Sequence, residues 1–143
     1  MFAKQLSVFI ENRKGRLHEV LDVLKANNVN ILSMSLADTT EYGLLRLIVN
    51  NPVLGKEKLT QEGFSTMLTN ILVIKIQHKA GSLQELLANM SEKGVNIEYM
   101  YGLSVDGEDA FVVMKTNDLD QALEVLETDG VVTLSSEDIK NLK

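Results

Sequence analysis

From Gln5 to Ile10 the chain alternates polar and apolar positions, with β-branched and aromatic residues among them, a period of two that predicts a strand. The period then changes. Leu17, Val20, Leu21 and Leu24 fall at i, i+3, i+4 and i+7, the apolar stripe of an amphipathic helix. Arg16, Glu19, Asp22 and Lys25 take its polar side, and Asn27-Asn28 closes it, asparagine tolerating the left-handed conformation that ends many helices. Val29 to Leu36 reads as a second strand, Asp38-Thr39-Thr40-Glu41 as a hairpin turn and Leu44 to Val49 as a third strand. Asn51-Pro52 opens a short helix running to about Glu62, because proline in a first turn loses no hydrogen bond. Gly63 stops that helix, and Phe64 to Leu68 is the fourth strand.

The same order then recurs. Leu72 to Ile76 is a strand, and Leu83, Leu86, Leu87 and Met90 give a second helical stripe. Ser82 with Glu85 reads as a capping box, and Gly94 as a C-terminal cap. Val95 to Val105 and Ala110 to Lys115 flank the turn signal Asp106-Gly107. Leu119, Ala122, Leu123 and Leu126 mark a helix ended by Gly130, Val131 to Leu134 a closing strand, and Ser135-Ser136-Glu137-Asp138 the start of a last short helix. Sliding the chain by 66 positions lays Leu6 on Leu72, Gly15 on Gly81, Leu17 on Leu83, Glu19 on Glu85 and Asn30 on Asn96. Strand–helix–strand–strand–helix–strand, written twice, predicts an α+β fold. The expectation is a ferredoxin-like βαββαβ sandwich in two tandem copies, residues 1–69 and 70–143, each with an antiparallel sheet. The joint Thr69-Asn70-Ile71 is so short that the two sheets are expected side by side.

Composition narrows the function classes. The chain has no cysteine, which removes disulfides and thiolate chemistry and points to the cytoplasm. A net charge of −6 argues against nucleic acid as a partner. No apolar run approaches the ~20 residues that span a bilayer, and the first residues lack a signal-peptide pattern, so no membrane partner is expected. Catalysis finds no support: the two histidines, His18 and His78, lie in no metal spacing, and His18 falls on the polar face of its helix. Asp106-Gly107-Glu108-Asp109 is explained by turn chemistry and lacks the ligand count of a calcium loop. No enzyme, cofactor or metal site is expected.

The bends are the exception. Glu11-Asn12-Arg13-Lys14-Gly15-Arg16-Leu17 and Gln77-His78-Lys79-Ala80-Gly81-Ser82-Leu83 each join a strand to a helix. Glycine permits a sharp turn there, and amides at the helix start favour an anion such as a carboxylate. Asn12, His78, Asn30 and Asn96 are the side chains that could complete such a site, since a carboxamide both donates and accepts. Asn30 and Asn96 could equally cap the turn into the second strand, and His78 could be a plain loop residue. Met34, Tyr99, Met100 and Tyr101 could line a pocket or fill an interface.

The two bend motifs with Val29-Asn30-Ile31 and Val95-Asn96-Ile97 resemble the ACT domain, an amino-acid-binding regulatory family, and nearly all of the chain fits its tandem form. The motif is most similar to that of the regulatory domain of phosphoglycerate dehydrogenase, Glu-Asn-Arg-Pro-Gly followed by Val-Asn-Ile. The resemblance implies an allosteric protein that holds a free amino acid as effector at the interface of the two domains, with no other cofactor. It implies side-chain ligands at Asn12, Asn30, His78 and Asn96. Backbone contacts would fall at Lys14, Gly15, Arg16 and Leu17, and at Ala80, Gly81, Ser82 and Leu83. Lys14 and Ala80 stand where that motif has proline, and Ile10 and Ile76 where it has a histidine. A homodimer is expected. The alternative is a regulatory or interaction subunit of an amino-acid biosynthetic enzyme such as acetohydroxyacid synthase.

Overall fold

The computed structural model describes residues 2–38, 41–106 and 108–141. Thr39 and Thr40 of the first hairpin turn and Gly107 of the second lie outside the described residues. The chain divides into two compact units, Lys4–Thr69 and Asn70–Ile139, the second also taking in Phe2 and Ala3.

The first unit runs β1 (Ala3–Glu11), α1 (Arg16–Ala26), β2 (Ile31–Asp38), β3 (Tyr42–Val49), α2 (Pro52–Gln61) and the leading part of β4 (Ser65–Gln77). β1 and β2 both pair antiparallel with β3, Leu6 opposite Leu47 and Leu36 opposite Leu45. The second unit runs from the rest of β4 through α3 (Ser82–Glu92), β5 (Ile97–Asp106), β6 (Asp109–Thr116), α4 (Leu119–Thr128), β7 (Val132–Leu134) and a terminal α5 (Ser136–Lys140). Its sheet is antiparallel in the order β5-β6-β4-β7. The architecture is α+β, with the βαββαβ order present twice. One detail departs from the pattern: Thr69-Asn70-Ile71 is no linker but the middle of a continuous 13-residue strand. Its residues, from Met67 to Ile76, are mostly β-branched or apolar and include no glycine or proline to interrupt a ladder.

Each unit has its own core. In the first, Leu6, Val8 and Ile10 of β1 meet Val20 and Leu24 of α1, Leu59 of α2 and Leu45, Leu47 and Val49 of β3. In the second, Leu72 and Ile74 meet Leu86 and Met90 of α3, Ala122 and Leu126 of α4 and Met114 of β6, with Phe2 packed against them. The helical stripes therefore face the sheets, although Leu17 and Leu21 are only half-buried. Both first helices end alike. Asn28 (φ 57°) and Gly94 (φ 82°) take the left-handed conformation, and Val29 and Val95 donate back to Leu24 and Met90.

The helix starts fall into two kinds. Asn51 caps α2 by accepting from the amide of Leu54 (3.2 Å), and Asp118 caps α4 by accepting from that of Gln121 (3.1 Å). Ser135 and Asp138 cap α5 reciprocally: the amide of Asp138 donates to the Ser135 hydroxyl, and the Ser135 amide donates to the Asp138 carboxylate. Hydrogen bonds from the amide and the hydroxyl of Ser135 hold the Asp138 carboxyl below its ordinary pKa of 3.8. α1 and α3 have no side-chain cap. The capping box expected from Ser82 and Glu85 does not form, because Gly81 occupies the cap position in the left-handed conformation (φ 89°, ψ −18°) and Ser82 is already the first helical residue.

The cores differ at one helix contact. Gly55 and Ala122 each follow the capping residue of their helix by four positions and donate to its carbonyl at 3.0 Å. A Cβ at Gly55 would lie 3.0 Å from Leu6 Cδ2 and 3.4 Å from Leu24 Cδ2. Where Leu24 packs in the first unit, the second has Met90, unbranched and better able to yield to Ala122. Alanine would gain about 1 kcal/mol of helix propensity over glycine, while overpacking a dense core costs about 1–3 kcal/mol. Gly55→Ala is therefore expected to lower the urea midpoint, because the fully buried Leu6, nearest to the added Cβ, must give way. A rise in midpoint for this variant would contradict this packing account.

Candidate functional site: two uncapped helix starts

Gly15 and Gly81 share one conformation, φ 89° with ψ −13° and −18°. A Cβ at either would meet nothing within 4 Å, so glycine is required by the torsion and not by space. The turn uses some amides. Those of Asn12 and His78 donate across to the carbonyls of Glu41 and Glu108, those of Arg13 and Lys79 to Glu11 and Gln77, and those of Arg16 and Ser82 to Arg13 and Lys79. The amides of Lys14, Gly15, Leu17 and His18 carry no hydrogen bond among the described residues, nor do those of Ala80, Gly81, Leu83 and Gln84. The positive end of each helix dipole thus meets donors that the fold leaves free.

A cleft lies beside each bend. The first, about 340 Å³, is lined by Ile10, Glu11, Asn12, Arg13, Leu17, Leu36 and Gly43. The second, about 520 Å³, is lined by Ile76, Gln77, His78, Lys79, Ala80, Leu83, Ala110 and Val112. Ile10, Asn12 and Leu17 reappear as Ile76, His78 and Leu83, so the duplication reproduces the cleft as well as the fold. Apolar side chains form its floor. Polar ones stand at its mouth. The side chains of Asn12 and His78 are exposed and make no hydrogen bond among the described residues.

Of the residues read from sequence, the bend set falls together in each unit: Asn12, Lys14, Gly15, Arg16 and Leu17 in the first; His78, Ala80, Gly81, Ser82 and Leu83 in the second. Arg16 is turned to another use. Its guanidinium lies 4.4 Å over the Phe64 ring and bonds Glu19 at 2.6 Å, with Nε buried and unpaired. Ser82 and Val131 stand at the matching places, and there a further cleft of about 560 Å³ opens, bordered by Ser82, Glu85, Leu86, Asn89 and Val131.

Asn30 does not reach the bend of its own unit. Glu11 pairs with Tyr42 and Asp38 with Gly43 at one end of the sheet, Ile31 with Val49 at the other. Asn12 and Asn30 lie beyond opposite ends, roughly 25 Å apart along a strand of about 3.4 Å per residue. Asn30 instead borders a separate cleft with Leu21, Lys25 and Asn28. Its backbone is engaged: the Asn30 amide donates to Asn50 Oδ1 (2.9 Å) and its carbonyl accepts from the Asn50 amide (3.0 Å). Asn96 makes the same pair with Asn117 at 3.0 Å each way. Asn50 and Asn117 were not singled out in the sequence, yet they too are duplicated, each just ahead of the residue that caps the next helix. Met34 is exposed, whereas Tyr99, Met100 and Tyr101 are half-buried, Met100 against the second core.

The family pattern described as an ACT domain pair matches residues 1–143. The chain belongs to the ACT domain family. No curated protein matches it. Among solved structures, protein BT0572 from Bacteroides thetaiotaomicron is 36% identical with a TM-score of 0.94, the match covering 99% of this chain and 98% of that one. The regulatory subunit of aspartate kinase from Thermus thermophilus, in its ligand-free form, shares the fold at 13% identity and a TM-score of 0.65, covering 89% and 91%. Aspartokinase alpha and beta subunits share it at 12% and 0.55, covering 89% and 95%. This ACT pair has no helix among its described residues long and apolar enough to cross a membrane.

Asn50→Ala is expected to destabilise the chain by about 1 kcal/mol through the lost brace on Asn30. Asn30→Ala, which removes a carboxamide that the fold does not use, is expected to stay within about 0.5 kcal/mol of the parent. Chemical denaturation measures both, and equal losses would contradict the assignment of the bracing role to Asn50.

Proposed function

We propose that this ACT pair is a non-catalytic regulatory protein that binds a free amino acid at the glycine bends. The observation that carries the reading is the contrast among helix starts: α2, α4 and α5 are capped by side chains, whereas α1 and α3 keep free amides beside an apolar cleft. An α-carboxylate is a natural partner for such amides, since it accepts several hydrogen bonds and meets the positive end of the helix dipole. The clefts' apolar floors suit the ligand's side chain. Asn12 and His78 stand at the mouths with unused polar atoms, and Asn30 and Asn96 keep free carboxamides of the same chemistry. Allostery would follow only if the ligand binds two states of the protein with different affinity. The output of this reading is altered association with a partner chain. A cytoplasmic location and a homodimer belong to the same reading, the edge strand β2 exposing Met34 and Leu36.

A second reading rests on the kinship of fold with regulatory subunits of aspartate kinase. Here the chain is an interaction subunit of an amino-acid biosynthetic enzyme, and the ligand tunes that contact. Co-purification of an enzyme subunit from the native host supports it.

Thermal melting of the purified chain against each of the twenty amino acids tests the first reading. A ligand at about 100 times its Kd adds about 2.7 kcal/mol of stability. For the strongest ligand, at least one of Asn12→Ala and His78→Ala is expected to weaken affinity about tenfold, the scale of one hydrogen bond to a charged group. Neither should lower the ligand-free melting temperature, because neither side chain supports the fold. A flat response across the panel refutes amino-acid binding. Unchanged affinity in both variants removes the bends as the site.

A further inference from the structure

The two clefts are not copies. In the first sheet Leu36 stands opposite Leu45, and in the second Gly102 stands opposite Val112 at the matching register. Leu36, half exposed on the edge strand, folds over the first cleft: its Cδ1 lies 3.3 Å from where a Cβ on Gly43 would be. A Cβ on Gly43 would press on Leu36 and also on Ile10 Cγ1, at 3.1 Å from the same point. In the second unit the sizes trade places. Gly102 has open space where a Cβ would stand, and Ala110 takes the place of Gly43. The second cleft, with no leucine at this position, has the larger volume, about 520 Å³ against about 340 Å³.

The mouths differ as well. Glu11 lines the first cleft and holds Arg13 at 2.8 Å. Neutral Gln77 stands in Glu11's place in the second cleft, and Lys79, in Arg13's place, makes no ion pair or side-chain hydrogen bond among the described residues. An incoming carboxylate therefore meets an uncommitted cation and no facing carboxylate on that lining.

We infer that the cleft beside Gly81 is the site for an amino acid with a bulky apolar side chain, and that residue 36 or 102 sets which side chains each cleft admits. Ile76, Leu83, Ala110 and Val112 form the wall for that side chain. Lys79, with the amides of Gly81 and Leu83, faces the carboxylate. The inference rests on the amino-acid-binding reading above.

Isothermal titration of L-leucine, L-phenylalanine and L-alanine into the full chain and two variants tests it. The parent chain is expected to bind one equivalent of L-leucine or L-phenylalanine. Gly102→Leu is expected to weaken that binding tenfold or more while leaving L-alanine within about twofold. The added side chain meets open space beside a register shift of β5, at a position without a left-handed torsion, so its circular dichroism should match the parent. Leu36→Ala combined with Glu11→Gln, which removes both the leucine wall and the facing carboxylate, is expected to raise the binding of the bulky amino acid to two equivalents, and it carries the test alone if Gly102→Leu does not fold. Unchanged affinity in Gly102→Leu, or one equivalent still bound by the Leu36→Ala, Glu11→Gln double variant, overturns the gate while leaving amino-acid binding intact. No binding of any amino acid to the parent chain overturns both.

Discussion

A left-handed glycine at the start of α1 and of α3 is the constraint from which the rest of the site follows. The strand must turn sharply into a helix that lies back across its own sheet, and the torsion that makes this turn, φ 89°, is one that side-chain-bearing residues adopt at a cost of about 1 kcal/mol or more. Glycine also brings no side-chain oxygen. A serine or aspartate at the cap would accept from an amide two or three residues on, as Asn51 and Asp118 do for α2 and α4. At the bends that acceptor is missing. One residue type therefore both shapes the turn and leaves donors available to a ligand.

Against this shared frame the two units have diverged by compensating exchanges. Gly55 against Leu24 becomes Ala122 against Met90, and Leu36 over Gly43 becomes Gly102 beside Ala110. Arg16 over Phe64 becomes Ser82 beside Val131, leaving a cleft where the first unit has a stacked guanidinium. In the first two cases one side chain grows where its neighbour shrinks or softens, as a close-packed interior demands. The first two exchanges act on different things. At Gly55 the exchange preserves the core; at Gly102 it changes the room beside a bend.

Much of this was legible in the sequence because strand and helix periods are local. The stripe Leu17, Val20, Leu21, Leu24 and its repeat place both helices, and positions 66 apart disclose two units before any contact is known. Three features were not legible. Ser82 and Glu85 spell a capping box, but the signal cannot tell that a left-handed Gly81 has already taken the cap. Asn50 braces the backbone of Asn30 from twenty positions away, a pairing only the β2–β3 register creates. The gate at Leu36 and Gly102 was hidden for the same reason: it depends on an edge strand folding over a bend from which it is distant in sequence. Pairs set by sheet register do not announce themselves in spacing.

The account stands on the free amides at the two bends. The direct measurement is a two-dimensional amide NMR titration of the ¹⁵N-labelled chain with the amino acid that stabilises it most. The account expects the largest shifts at the amides of Ala80, Gly81, Leu83 and Gln84, or of Lys14, Gly15, Leu17 and His18. Saturable shifts confined to residues away from both bends, with these eight amides unmoved, would contradict it.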